Sequence, residues 1–158
     1  MKTSIKAGAI IVILLMLTGT AMAQDITMTR IEAARTVMDF HGLGFREVVP
    51  CNWIFVDIRD KFDGLRNQYL MVLQGYENQF PYDVDAERRY TMQLVFLFKE
   101  ITEVMMDCTY AEQMWKMGIT AGCRVSERGR EFCPDDPITP WQLDVFIGGA
   151  RTMYLTHE

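Results

Sequence analysis

Apolar side chains recur every three or four positions through most of this chain, the spacing of helices that bury one face. Thr29-Arg30-Ile31-Glu32 has the form of a capping box, in which the Thr hydroxyl and the Glu carboxylate each satisfy an amide that the first helical turn leaves without a partner. A helix from Thr29 to His41 follows, with Ile31, Ala34, Val37 and Met38 on one face and Gly42 and Gly44 as its stop. Gly42 to Pro50 reads as a connection. From Asn52 the residues Ile54, Ile58, Phe62, Leu65, Tyr69, Val72 and Tyr76 form a long stripe that should end near Phe80-Pro81. A second stripe starts after Asp83, a reasonable N-cap, and runs through Ala86, Tyr90, Leu94, Leu97, Ile101 and Val104 to Cys108. Two long helices joined by so short a turn must lie antiparallel with their stripes together.

Tyr110 to Gly122 reads as a further helix with Met114, Trp115 and Ile119 inward, and Gly118 with Gly122 allow a close backbone approach on one face. That Gly-x-x-x-Gly spacing signals packing here and is not taken as a dimer motif. Thr139, Pro140 and Gln142 make a second capping box with Pro at the first helical position, so a helix runs from Pro140 to about Leu155. Its Gly148 and Gly149 suggest that another helix packs closely there. The expected fold is therefore all-α: a single disulfide-stabilised bundle of about five helices built on a long antiparallel hairpin.

The first 23 residues change the chemistry expected of the rest. Lys2 and Lys6, the apolar run Ala7 to Leu17 and the small residues of Ala21-Met22-Ala23 make a secretory leader, with cleavage near Gln24. The apolar run is short of the ~20 residues that span a bilayer. Residues 24–158 are then one periplasmic or secreted domain, with no membrane contact after cleavage. In that oxidising compartment Cys51, Cys108, Cys123 and Cys133 are read as two disulfides. Cys51 opens the first long helix and Cys108 closes the second, so an antiparallel hairpin brings these two together and leaves Cys123 to pair with Cys133. Without the leader the chain carries 14 basic and 21 acidic residues, a formal charge of −7. Such a surface disfavours nucleic acid and anionic membrane and suits a basic protein partner. Arg124, Arg128 and Arg130 stand out against it, on the loop between Cys123 and Cys133.

Few residues suggest a reaction. His41 and His157 are the two histidines, and neither has a nucleophile or orienting carboxylate evident beside it. The cysteines form no Cys-x-x-Cys pair, so zinc is not expected. Asp57, Asp60 and Asp63, and Glu100 with Glu103, could do acid–base work, but the same spacing marks a solvated helix face. Asp135-Asp136 lacks the acidic ladder of a calcium loop and reads as turn chemistry. The twelve methionines and the aromatics fall mostly on the stripes and read as core. No catalytic residue, metal or cofactor is expected, and the protein is read as a non-enzyme.

Phe132-Cys133-Pro134, Ile138-Thr139, Gln142-Leu143 and His157-Glu158, preceded by Gly118-Ile119-Thr120-Ala121-Gly122, resemble the series Phe-Cys-Pro, Val-Thr, Gln-Leu, His-Pro-Glu and the Gly-Tyr-Ile-x-Gly segment of the Rap1a/Tai family of type VI secretion immunity proteins. The likeness covers Met117 to Glu158. Met117 stands where that family often has Cys, and the hairpin between Cys51 and Cys108 has no counterpart in it. The resemblance implies a helical periplasmic immunity protein that neutralises a peptidoglycan amidase toxin by occluding its active site. The loop bearing Arg124, Arg128 and Arg130 is then the candidate partner-binding element, because cross-linking removes ordering entropy that binding would otherwise cost. The loop could equally be a plain connection between helices. A periplasmic stress chaperone, or another general periplasmic binding protein, is the alternative function. A carboxylate hydrolase is a third, and it requires a buried Asp or Glu with a raised pKa in a pocket. A homodimer is also left open.

Overall fold

The amide of Thr29 donates to Glu32 at 2.9 Å and its hydroxyl accepts from the Glu32 amide at 3.3 Å, both halves of the expected capping box, in a computed structural model that describes residues 27–43, 51–78 and 84–156. The helix so started, α1, is Arg30–Phe40, and His41 is its C-cap. The secretory leader, the cleavage site at Gln24, residues 44–50 of the first connection, the turn at Phe80-Pro81, Asp83 and His157 lie outside the described residues. The remaining elements are α2 (Val56–Glu77), α3 (Val84–Lys116), the strands β1 (Arg124–Ser126) and β2 (Gly129–Glu131), and α4 (Pro140–Thr156).

The two long stripes form the antiparallel pair α2 and α3, which is the largest contact between elements. Cys51 and Cys108 meet at its open end with Cα atoms 5.9 Å apart, and Cys123 bonds Cys133 at the same separation. Both pairings are those expected, at an ordinary disulfide span.

Among the described residues there are four helices where about five were expected. Tyr110 does not open a new helix, because Val84 to Lys116 contains neither Gly nor Pro and nothing interrupts the hydrogen bonding. Termination comes instead at Gly118, with φ +70°. The Ile119 amide donates to Met114 at 2.8 Å and the Gly118 amide to Trp115 at 2.9 Å, a Schellman cap closed by the buried pair Met114 and Ile119. Gly118 and Gly122 therefore lie beyond the helix and form no packing face on it. The segment Arg124 to Glu131, expected as a loop, is an antiparallel hairpin with Arg124 opposite Glu131 and Val125 opposite Arg130. The first long helix also starts later than expected. Trp53 sits at φ +57°, a conformation uncommon for a bulky residue, so Cys51 precedes the helix rather than opening it.

The core gathers where all four helices meet. Ala33, Ala34, Val37 and Met38 of α1, Ile58 of α2, Val104, Cys108, Ala111 and Met114 of α3, and Leu143, Phe146 and Ala150 of α4 are buried there with Phe132 and Ile138. The first amides of α1 find partners outside the helix: Arg30 N–H donates to the Asp136 carbonyl at 2.8 Å and Ile31 N–H to that of Pro134 at 3.2 Å. Gly149 does mark a close approach, but to the turn at Ile119, whose Cγ2 would stand 3.0 Å from an added Cβ, and not to a helix; Gly148 faces open space.

The core takes in only the base of the α2–α3 pair. Farther out the expectation that methionines and aromatics are core fails: Met71, Met92, Phe96 and Phe98 are all exposed.

Tyr110 is buried at the base, and its hydroxyl donates to Asp39 at 2.8 Å. Burial, reinforced by that bond and the Asp39 charge, pushes its pKa from 10.0 up to about 12. The folded state thus holds this proton where the unfolded chain releases it, so its contribution is complete below pH 10 and is lost between 10 and 12. Tyr110→Phe is expected to flatten the loss of stability over that range, as measured by urea denaturation at successive pH values. An unchanged slope would show that other groups dominate it.

Candidate partner-binding hairpin

The β1–β2 hairpin is seated on the first turn of α2 by chemistry that spacing did not reveal. Asp57 accepts from the amides of Phe132 at 3.0 Å and Cys133 at 2.6 Å. It is therefore a clamp on the end of β2 and not part of a solvated acidic face. Phe132 is fully buried and packs edge-on against Phe55, with ring centroids 5.3 Å apart. Two glycines permit the seating. A Cβ on Gly122 would lie 2.5 Å from the Glu131 carbonyl oxygen, and one on Gly129 would lie 2.8 Å from Val56. Their φ angles of +88° and +131° favour glycine as well.

The three arginines take different places. Arg124 pairs across the strands with Glu131, and that bond together with the charge of Arg124 holds the Glu131 carboxyl below its ordinary pKa. Arg128 pairs with Asp60 on α2. Arg130 lies inward, donating to the Ala121 carbonyl with its guanidinium 6.0 Å from the Trp115 ring centre. Arg124 and Arg128 thus stay on the outer surface with Val125 and Glu127, while Arg130 braces the hairpin from beneath.

Of the other acids singled out, Asp60 is taken by Arg128, Asp63 is exposed, and Asp135 pairs with Lys61 at 2.9 Å. Glu103 lies 3.7 Å from Lys99, and Glu100 is half-buried on the same helix. His41 has its pKa lowered by desolvation and then by Arg151.

The two acids buried among the described residues are ones that helical spacing did not single out. Asp107 is bound by the Arg35 guanidinium; desolvation raises its pKa against the pull of that partner. Glu112, 2% exposed, accepts from the amides of Asn52 at 2.9 Å and Ile54 at 3.0 Å and from the Asn52 side chain at 3.1 Å. It holds the strap of residues 51–54 over α3 and so sustains the unusual backbone at Trp53, whose ring packs 4.5 Å from that of Phe62. The sulfurs of Cys51 and Cys108 lie 3.3 and 3.6 Å from its Oε1, but a disulfide sulfur has no proton to donate. Cys51, Cys108 and Glu112, like Cys123, Glu131 and Cys133, are close enough to surround an ion, yet bonded sulfurs are not the thiolates a metal needs. Neither buried acid lines the groove between α2 and α3, which is walled by Gln68, Met71, Val72, Met92, Gln93, Phe96 and Leu97. Among the described residues no helix is long and apolar enough to cross a membrane.

No protein-family model, curated protein or solved structure matches this chain. The likeness to the Rap1a/Tai series therefore rests on the residues that carry it, and their places are informative. Phe132 is core, Cys133 bonds Cys123, and the Thr139 hydroxyl and Gln142 side chain form the reciprocal cap of α4 at 3.3 and 3.1 Å. These positions build the core, the cross-link at the root of the hairpin and the start of α4.

Proposed function

We propose that the protein is an exported binding protein which acts as an immunity protein, neutralising a cell-wall amidase by inserting the β1–β2 hairpin into its active-site cleft. A cleavable leader would deliver it to the periplasm. The observation that carries this reading is the hairpin itself, which is cross-linked at its root, clamped by Asp57 and braced by Arg130, and which presents Arg124, Val125, Glu127 and Arg128 outward. A rigid protruding element binds without the entropy cost of ordering a loop. Occlusion requires no reaction from the protein that does it.

The test is capture of partners from the periplasm with the native protein and with Val125→Asp and Arg128→Glu. Each exposed substitution should cost the fold less than about 1 kcal/mol, since exposed ion pairs are worth little. Each should weaken the complex at least about tenfold if the side chain is an anchor. Unchanged affinity would place the interface elsewhere. Arg130→Glu is a poor probe because it also removes the brace against Trp115.

A stress chaperone is the second reading, favoured by the exposed Met71, Met92, Phe96 and Phe98. It predicts broad suppression of aggregation on acidification, where the immunity reading predicts one tight partner.

A further inference from the structure

Where α2 and α3 leave the core, the arm they form loses its charged surface. No charged residue occurs from Tyr69 to Tyr76 or from Tyr90 to Phe98, and Leu70, Met71, Met92, Val95, Phe96 and Phe98 are between 47% and 73% exposed. Helices apolar around their circumference are ordinarily buried ones, and a monomer rarely exposes so continuous a patch. We propose that a second copy of this chain covers the groove side of this arm, where Met71, Met92 and Phe96 lie, with the two arms antiparallel about a two-fold axis so that four helices enclose one apolar seam.

Charge complementarity selects this occupant and this orientation. Arg89, Gln93, Phe96 and Glu100 follow one another at four, three and four residues, and so share one face of α3. Gln93 and Phe96 line the groove between the helices, which puts Arg89 and Glu100 at its two ends. Neither forms an ion pair among the described residues. An antiparallel two-fold axis level with Leu94 and Val95 sets Arg89 of each copy opposite Glu100 of the other, Met92 opposite Leu97, and Gln93 opposite Phe96. The same axis passes Met71, because Gly75 packs against Tyr90 and four residues nearer the core on each helix bring Met71 level with Leu94. A parallel arrangement would instead hold each charge at the level of its own copy.

The dimer goes beyond the immunity reading and stands without it, since arm and hairpin are separate elements. Sedimentation velocity on the disulfide-intact protein, without its leader and at up to about 100 μM, should show a dimer in concentration-dependent exchange with monomer. Phe96→Glu should give a monomer with an unchanged helical circular dichroism spectrum. Arg89→Glu and Glu100→Arg should each raise the dissociation constant about tenfold, and the two together should restore it to within about threefold. Met71→Cys should cross-link to itself under mild oxidation. A native monomer at the highest concentration, a dimer indifferent to Phe96→Glu, or a charge exchange without restoration would each overturn the proposal.

Discussion

Glu112→Ala is expected to destabilise the protein by about 3–5 kcal/mol, the scale of leaving buried donors without an acceptor for a charged group. Three donors converge on this carboxylate, the amides of Asn52 and Ile54 and the Asn52 side chain, and a methyl group accepts from none of them. The strap they belong to also holds Trp53 in its left-handed conformation, so the loss should extend to the Trp53–Phe62 packing. Glu112→Gln keeps the shape and one acceptor oxygen and should fall between. Urea denaturation measures both, and a cost below about 1 kcal/mol for the alanine would show that water or a shift of the strap replaces the carboxylate.

Removing the clamp at the same end should have an effect of similar size. Cys51→Ser with Cys108→Ser opens a loop whose ends are 57 residues apart, and on chain-entropy grounds this costs about 4 kcal/mol. Because Glu112 and the disulfide both fix the strap of residues 51–54, the two losses should not add. A triple variant combining Glu112→Ala with the serines should be less destabilised than independence predicts, by about 0.5–3 kcal/mol. Strict additivity would mean that strap and clamp are separate devices. The Cys123–Cys133 bond closes only a short loop, and its loss should act chiefly on the hairpin.

Local chemistry made much of this architecture legible. Both capping boxes depend on residues three apart, and both formed as written at Thr29 and Thr139. The Cys51–Cys108 pairing followed from two stripes of similar length folded about one turn. The break expected near Cys108 failed because no breaker stands there, and a cysteine that ends a stripe does not end a helix. The strands were missed because β1 and β2 have three residues each, too few for a period of two to register. The clamping role of Asp57, and Glu112 altogether, were missed for a different reason. Each satisfies amides dozens of residues away, across a contact that exists only after folding, and helical spacing describes only the near neighbours of a carboxylate. The arginine loop could be located by the cysteines on either side, but that Arg130 turns inward depends on Trp115, fifteen residues earlier on another element.

The hairpin is proposed to bind and silence another protein, and the most direct measurement titrates this protein into the partner it captures while following peptidoglycan amide hydrolysis. Hydrolysis should fall linearly to zero at one hairpin per enzyme, with Val125→Asp and Arg128→Glu shifting the curve to higher concentration. A captured partner without amidase activity, or one whose activity persists in excess protein, would contradict it.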